Sequence, residues 1–216
     1  MKQDLILLGK PGSGKGTQAK ILTTKDDYVQ ISTGDLLRAE VKKGTALGKE
    51  IDALIKNGKY ASDELAIQLI RNNFKPEKAQ IFDGFPRTLV QAQMLDLEIL
   101  GQRPHLAVHF KIEDQELVTR IIARRSCGQC GRIYNLITLP PKQETKCDDC
   151  QTALTHRSDD KAEVVQTRLE QYNKTFDPIL QFYKDKGVLQ ELDASTSPEE
   201  VAKALPFIVN LEKKEI

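Results

Sequence analysis

Short apolar runs alternate with longer amphipathic stretches along most of the chain. Five runs have the length of buried parallel strands, and they lie at 5–8, 28–31, 80–83, 106–110 and 188–192. Helical periodicity predicts helices up to Leu22, at 35–57, 63–73, 89–100 and 114–125, from Lys161 and from Ser197 onwards. Strands that alternate with helices predict a parallel sheet flanked by helices on both faces, which is an α/β fold.

Local sequence refines the helix predictions at three places. A turn centred on Gly58 separates the second and third predicted helices. Asp177-Pro178 resembles a helix cap followed by a first-turn proline, so we expect a break or kink there. Ser197 and Glu200 have the capping-box spacing, which predicts the start of the final helix.

Composition and charge narrow the class of protein. The chain has 216 residues, of which 39% are hydrophobic and 29% charged, with a formal net charge of +1. A charge so close to zero gives no general attraction to nucleic acid or anionic membranes. No apolar run is long enough to span a bilayer, and the chain begins without a basic leader or a cleavage-type site. The interpretation is a cytoplasmic protein.

A glycine-rich segment at 9–17, with the sequence GKPGSGKGT, follows the first predicted strand and precedes a helix. It contains G-x-x-x-x-G-K, the phosphate-binding loop, in which backbone N–H groups and the helix N-terminus converge on phosphate oxygens. Lys15 supplies a compact charge. Gly16 stands where Ser or Thr usually follows the lysine, and the hydroxyl comes at Thr17, so we expect phosphates and water to hold most of the magnesium. The alternative is a glycine-rich turn without a ligand.

The four cysteines of the chain form two Cys-x2-Cys pairs separated by sixteen residues: Cys127, Cys130, Cys147 and Cys150. This spacing is typical of a four-thiolate zinc site. Four protein ligands leave no open position on the metal, so the predicted zinc is structural, one per chain. Disulfides or free thiols are the alternatives.

Five motifs in the same order resemble those of the adenylate kinases, a family of nucleoside monophosphate kinases, and the resemblance runs from residue 4 to about residue 200. They are the loop Gly-x-Pro-Gly-x-Gly-Lys-Gly-Thr, the segments at 30–38 (QISTGDLLR) and 83–88 (DGFPRT, with Gln91 following), the arginines at 120, 124 and 125, and the set Arg157, Asp159, Asp160 and Arg168.

The resemblance implies two nucleotide sites. The residues expected to bind ATP are Gly12, Ser13, Gly14, Lys15, Gly16, Thr17, Arg120, Arg124, Ile133, Tyr134 and Ser197. The residues expected to bind AMP are Thr33, Arg38, Lys59, Tyr60, Ala61, Gly84, Phe85, Pro86, Arg87, Gln91, Arg157 and Arg168. The capping box also explains Ser197 without a ligand, and packing explains the Tyr60 side chain.

The expected catalytic set is Lys15, Asp83, Arg87, Arg124, Arg157 and Arg168. By resemblance, Arg38 and Arg87 hold the acceptor phosphate, and three arginines bridge the transferring group: Arg124, Arg157 and Arg168. Asp83 orients water on magnesium, Thr33 and Gln91 read the acceptor base, and Phe85-Pro86 is a candidate cis peptide bond. Phosphoryl transfer needs alignment and positive charge more than acid–base help, which suits arginines.

The expected organisation is a P-loop NTPase-type core with two insertions. The core comprises 1–31, 62–123 and 162–216, a small helical monophosphate-binding insertion occupies 32–61, and a zinc-ribbon-like lid occupies 124–161. The predicted reaction transfers a phosphoryl group reversibly from MgATP to AMP, giving two ADP, in a monomer without nucleic-acid or membrane partners. The alternatives are a kinase for GMP, UMP or CMP, and a nucleic-acid-binding zinc ribbon on an NTPase.

Overall fold

The computed structural model describes residues 2–210, and a five-stranded parallel sheet forms its centre. The strands in chain order are β1 (Asp4–Leu8), β2 (Tyr28–Ser32), β3 (Ala79–Asp83), β4 (His105–Lys111), β5 (Arg124–Cys127), β6 (Ile133–Asn135), β7 (Leu154–Thr155) and β8 (Leu189–Asp193). The central sheet has the order β2-β3-β1-β4-β8, and all of its neighbours pair in parallel. The predicted parallel α/β sheet is confirmed.

Helices cover both faces of this sheet. They are α1 (Lys15–Lys25), α2 (Thr33–Lys42), α3 (Ala46–Lys56), α4 (Asp63–Asn73), α5 (Leu89–Met94), α6 (Asp114–Ile122), α7 (Ala162–Asp185) and α8 (Pro198–Asn210). A π-helical segment, Leu95–Leu100, continues α5, and a 3₁₀ turn at Ser158–Asp160 precedes α7. Within residues 2–210, no helix combines the length and the apolarity needed to cross a membrane.

The wholly apolar β1 is explained by burial on both sides of the sheet. Successive side chains of a strand point to opposite faces, so Ile6 and Leu8 pack in one core with residues of α4, α5 and α7. Leu5 and Leu7 pack in a second core with residues of α1 and α8. Each side chain of β1 is therefore shielded from water, and the C-terminal ends of the strands meet at one edge of a rigid layer.

The structure changes the extent of two predicted helices: one is divided in two, and the other ends earlier. The helix predicted at 35–57 is two helices, because Gly44 adopts a φ of +68° and Thr45 caps the next helix by accepting from the Gly48 N–H. The helix predicted at 114–125 ends at Ile122, because the backbone from Arg124 onwards pairs with β6 and β7 instead.

We predicted a break or a kink at Asp177-Pro178; the break is wrong, and the kink stays a prediction. Helix α7 runs without interruption through Pro178, which lies on its exposed side. The neighbouring Phe176 and Ile179 stay buried in the core, so tertiary packing holds the helix across the missing N–H. The capping box is confirmed, since the Glu200 N–H donates to Ser197 Oγ at 3.2 Å. The Phe85–Pro86 peptide bond is cis, as predicted.

The segment 124–161, which we call the cysteine segment, has a small sheet of its own. Its three antiparallel strands have the order β6-β5-β7. Its buried cluster consists of Cys127, Tyr134 and Cys147, with Cys130, Cys150 and Leu154 partly buried around it. This cluster is far smaller than either core of the central sheet.

Candidate active site

The phosphate-binding loop follows β1 at the C-terminal edge of the sheet, where ligands bind in open α/β folds. Gly12 and Gly14 have φ values of +85° and +89°, a region that suits glycine. A Cβ atom on Gly12 would lie 2.7 Å from Cγ1 of Ile121, so only glycine fits there. Gly14 precedes α1 and has no side chain to cap it. The first N–H groups of α1 are therefore left for an anion.

Lys15 lies over this loop with its ammonium group turned back onto it. Its Nζ donates to the carbonyls of Gly9 and Lys10 at 2.6 and 2.8 Å, and to Ser13 Oγ at 3.1 Å. Burial lowers the pKa of Lys15 to about 7, and Asp83 opposes that shift. A phosphate beside the ammonium would favour its charged form.

Asp83 is the last residue of β3 and lies opposite the phosphate-binding loop. Its carboxylate leaves little room for a side chain at position 16, which explains the unusual glycine after Lys15. Its carboxylate accepts from Gln30 Nε2 at 3.0 Å. A Cβ atom on Gly16 would lie 3.2 Å from Asp83 Oδ2 and 3.1 Å from Ile133 Cδ1, which is tighter than ordinary packing. A carboxylate facing a phosphate loop fits magnesium, a hard cation that binds through a few carboxylate oxygens together with substrate phosphates.

Thr33 and Gln91, the residues predicted to read the acceptor base, are both buried beside the turn that follows β3. The Thr33 hydroxyl donates to the Gly84 carbonyl at 2.7 Å. Gln91 accepts from the Arg87 N–H at 2.8 Å and donates to Asp63 Oδ1 at 2.8 Å. Each side chain is thus held in one orientation and still has hydrogen-bonding capacity for a base.

Two buried carboxylates, Asp159 and Asp160, position two of the predicted catalytic arginines. Arg124 Nε donates to Asp160 Oδ2 at 2.8 Å. Arg168 Nη1 lies 3.2 Å from Asp160 Oδ1 and 3.0 Å from Asp159 Oδ2. Burial alone would raise the pKa of Asp159, but Arg168, Arg38 and Arg124 hold it below its usual range. The prediction gave these two acids no role, although the acidic pair that begins two residues after Arg157 was the available signal.

The positive charges of Arg157 and Arg38, which also lie in the cleft, are less fully neutralised by buried carboxylates. Arg157 Nε donates to Ser126 Oγ at 3.2 Å, and Arg38 pairs with the exposed Asp35 at 2.6 Å. Burial, followed by repulsion from Arg124 and Arg38, lowers the pKa of Arg157 to about 10. So many guanidinium groups in one cleft create a strong attraction for a polyanion.

Arg120 lies at the other end of the cleft, beside the loop that joins β8 to α8. Its guanidinium donates to the carbonyls of Ala194 and Ser195 at 2.9 and 2.8 Å. Ser197 caps α8 and does not line the cleft, whereas the adjacent Pro198 does. This loop therefore borders the region where the prediction places the ATP base.

One cleft collects nearly all of the sequence-predicted nucleotide-site residues. Besides Ser197, the exception is Ser13, which is buried beneath the loop. Tyr134 borders the cleft, yet it is buried in the cysteine segment and its hydroxyl accepts from the Asp148 N–H at 2.7 Å. Its ring therefore supports that segment from within. Other lining residues were absent from the predicted site, among them Asn135, Asp159, Tyr172 and Phe176.

Two segments of the chain that line the cleft contact each other. Lys42, at the end of α2, donates from Nζ to the Gly128 carbonyl at 3.3 Å, so the helical segment 32–61 and the cysteine segment touch. The cavity in the cleft measures about 280 Å³. Pockets for a single drug-sized ligand have about 300–1,000 Å³, so the cleft is small for two nucleotides in this arrangement.

The four cysteines converge at the tip of the cysteine segment. Their sulfur atoms all lie within 4.8 Å of one another, with Cys127 Sγ 3.4 Å from Cys150 Sγ and Cys130 Sγ 3.5 Å from Cys147 Sγ. A tetrahedral zinc with Zn–S bonds of about 2.3 Å would separate its sulfurs by roughly 3.8 Å. The donor set and its spacing therefore fit zinc.

These features define a class of protein: a P-loop protein whose phosphate-binding loop opens into an arginine-lined cleft. A family profile for adenylate kinase matches residues 7–188. Three curated relatives cover nearly the whole chain. Adenylate kinase from Archaeoglobus fulgidus is 41% identical over 211 residues, which are 95% of this chain and 97% of the relative. The adenylate kinase of Fervidobacterium nodosum is 42% identical over 217 residues, 98% and 100% of the two chains. That of Paracoccus denitrificans is 42% identical over 206 residues, 94% of each.

The chain therefore belongs to the adenylate kinase family. It is an enzyme, a phosphotransferase that interconverts MgATP plus AMP and two ADP. Its cysteine cluster is compatible with the zinc-binding form of this family.

Proposed function

We propose that the cleft between the phosphate-binding loop and Arg87 carries out this reaction, with ATP on the loop and AMP beside Thr33. The observation that carries the proposal is the convergence of Lys15 and six arginines on a single cleft whose floor is a phosphate-binding loop. Transferring a phosphoryl group between two nucleotides needs this concentration of fixed positive charge, because negative charge must be gathered and then aligned in line.

On the donor side, the loop from Gly12 to Thr17 is proposed to surround the β- and γ-phosphates. Arg120 flanks the ATP base, since its guanidinium is already anchored to the carbonyls of Ala194 and Ser195. Asp83 is proposed to orient water molecules on magnesium, which neutralises phosphate charge when it is bound. Gly16 leaves the room that this arrangement needs.

On the acceptor side, Arg87 and Arg38 are proposed to bind the AMP phosphate, while Thr33 and Gln91 face the adenine. Lys59, Tyr60 and Ala61 lie along the same wall of the cleft. Thr33 is the residue that we expect to favour AMP over pyrimidine monophosphates.

Between the two sites, we propose that three arginines surround the transferring group: Arg124, Arg157 and Arg168. The planar guanidinium donates to two phosphate oxygens at once. Asp160 is 0% exposed and pairs with both Arg124 and Arg168, so the two guanidinium groups are positioned before any substrate is present. Donors that are oriented in advance lower the reorganisation needed in the transition state.

We further propose that the 32–61 segment is the monophosphate-binding insertion, that the cysteine segment is the lid, and that both open to admit substrates. A cavity of about 280 Å³ under two touching segments supports this view. Closure then excludes water, which would otherwise hydrolyse ATP. A bisubstrate mimic joining two adenosines through a phosphate chain should protect the lid from protease, and equal cleavage with and without it would contradict closure.

For the metal, we propose one structural zinc per chain. Four thiolates complete a tetrahedron, so no position is left for water or a phosphate oxygen. Such thiols stay reduced in the cytoplasm, which is the compartment that we propose. We also propose a monomer, because residues of one chain line the whole cleft; sedimentation equilibrium at working concentration tests this.

Base selectivity provides the sharpest test of the proposed site. A coupled assay of ATP with AMP, GMP, UMP and CMP should give the highest kcat/KM for AMP. Thr33→Ala should narrow the gap between AMP and the pyrimidine monophosphates, whereas Thr33→Ser keeps the hydroxyl that donates to Gly84 and should keep the preference. Faster turnover of UMP or GMP by the unmodified protein would reject AMP as the preferred acceptor.

A further inference from the structure

Tyr60 and Arg87 come from different parts of the chain, and in the cleft the Arg87 guanidinium lies over the Tyr60 ring. Tyr60 lies in the connection from α3 to α4, and Arg87 lies in the loop between β3 and α5. The Arg87 guanidinium carbon is 4.9 Å from the centroid of the Tyr60 ring. This distance is within the range of a cation–π interaction, in which a cation is attracted to the face of an aromatic ring.

Arg87 is held differently from other arginines of the cleft. Arg38, Arg124 and Arg168 each pair with a carboxylate. For Arg87, the structure of residues 2–210 contains no carboxylate within 4.0 Å, and the side-chain hydrogen bond that it makes runs from Nε to the Gly84 carbonyl at 2.8 Å. Among the described residues Arg157 likewise has no carboxylate partner, and Arg87 differs from it in having the ring of Tyr60 as its neighbour.

This difference matters for binding an anion. A carboxylate on Arg87 would neutralise its charge and occupy the donors that a phosphate needs. An aromatic ring attracts the cation through its face, while the N–H donors lie in the guanidinium plane and remain free. The Gly84 carbonyl restrains the guanidinium within its plane, and Tyr60 restrains it from the side. The two contacts together fix the direction of the remaining donors.

Tyr60 is in turn supported by α7. Burial raises the pKa of Tyr60, while Arg87, Arg168 and the Thr175 hydroxyl lie near enough to oppose that shift. Two residues earlier, a Cβ atom on Gly58 would lie 3.1 Å from Arg168 Cγ, so the backbone there packs closely on α7. Tyr60 therefore lies near α7 as well as beside the Arg87 guanidinium.

We propose that Tyr60 is a positioning residue for Arg87, whose ring holds the guanidinium plane in the orientation that binds the acceptor phosphate. The inference rests on the proposed function of Arg87 and adds a residue that acts through it. The ring carries the effect, and the hydroxyl is dispensable.

Steady-state kinetics of Tyr60→Leu and Tyr60→Phe test the proposal. Tyr60→Leu keeps an apolar side chain without a π face and should raise the KM for AMP roughly 3- to 30-fold, the range expected for a lost cation–π contact. The kcat and the KM for ATP should change less than about twofold, because the donor site does not involve this ring. Tyr60→Phe should behave like the unmodified enzyme.

Two further variants separate this inference from the proposed function. In an Arg87→Ala background, adding Tyr60→Leu should cause no additional loss of kcat/KM for AMP, as a double-mutant cycle requires of residues that act together. Phe74→Leu is the matched control, because it removes the ring 5.2 Å from the Arg103 guanidinium carbon, outside the cleft. It should leave the KM for AMP unchanged.

The outcomes are distinguishable. An unchanged KM for AMP in Tyr60→Leu, while Arg87→Ala raises it, would overturn the inference and leave the proposed function standing. Equal defects in Tyr60→Phe and Tyr60→Leu, or additive losses in the double variant, would also overturn it. If Arg87→Ala itself leaves AMP use intact, the proposed role of Arg87 fails, and the inference fails with it.

Discussion

The central sheet and the cysteine segment differ in how much apolar surface stabilises them. The sheet has two large cores, one on each face, into which six of the helices pack. The cysteine segment has a buried cluster of Cys127, Tyr134 and Cys147 with a few partly buried neighbours. Hydrophobic burial suffices for the sheet, whereas so small a cluster cannot offset the conformational entropy of ordering the segment. We propose that a bound metal supplies most of the missing folding free energy. Arg124 and Arg168, which both pair with Asp160, connect the two regions.

Removal of the metal should produce the largest difference in stability between the cysteine segment and the central sheet. Zinc supplies on the order of 10–16 kcal/mol to the folding of small domains. Chelation, or replacing Cys147 and Cys150 with serine, should therefore lower the temperature at which β5 and β6 lose their hydrogen-exchange protection, while β1 and β3 stay protected. Elemental analysis should find one zinc per chain beforehand. Full protection of β5 in metal-free protein would show that the segment folds without a metal.

The same variant distinguishes a structural metal from a catalytic one. Turnover should remain measurable at a low temperature where the metal-free segment is still folded by hydrogen exchange. Complete loss of turnover under that condition, restored by zinc, would mean that the metal takes part in the chemistry.

A substitution in a core of the central sheet should destabilise the sheet and leave the zinc content unchanged. Phe82 is 0% exposed in β3, and Phe82→Ala should lower the free energy of unfolding by about 3–5 kcal/mol. The loss should appear in denaturant titrations of the central sheet without a change in zinc content. Ile137→Ala in the cysteine segment is the control, because Ile137 is 63% exposed and should cost less than about 0.5 kcal/mol. A larger loss at Ile137 than at Phe82 would contradict the comparison.

The arginines that connect the two regions should affect turnover most. Arg168→Ala removes a donor proposed for the transferring group, so kcat should fall roughly 10²-fold or more. It also removes a partner of the buried Asp160, so the cysteine segment should become less stable. Arg168→Lys keeps the charge without the planar fork and should recover stability more than turnover. Lys174→Ala, on the exposed side of the same helix, should change neither.

The smallest expected effect concerns the pH dependence of ATP binding at the sheet edge. Burial lowers the pKa of Lys15 to about 7, so above pH 7 the free enzyme has partly lost this proton. Triphosphate raises the pKa again, so binding at pH 8 should take up a fraction of a proton, and binding at pH 6 should take up almost none. Calorimetry in buffers of different ionisation enthalpy measures this. Lys15→Arg, which stays charged, should remove the difference, and equal uptake in both proteins would locate the titration elsewhere.

The predictions that succeeded depended on local patterns. The phosphate-binding loop lies between β1 and α1 as its sequence indicated, and the four cysteines form one cluster, as the spacing of their two pairs predicted. The wrong helix boundaries have a common physical cause. The helix predicted over 114–125 ends at Ile122 because residues 124–127 pair with β6 and β7, and Pro178 stays inside α7 because its neighbours are buried in the core. In both places tertiary contacts outweighed local propensity.

The amino-acid sequence by itself determined the class of fold, the position of the phosphate-binding loop and the set of clustered cysteines. It also determined which arginines line the cleft. These depend on periodicity and on motifs in which the interacting groups are close along the chain. Only the tertiary structure decided the partners of those arginines: Asp160 for Arg124, 36 residues away, and Tyr60 for Arg87. A side chain's nearest charge or ring depends on how distant segments pack, and that packing reflects the burial of both faces of the sheet rather than any local pattern.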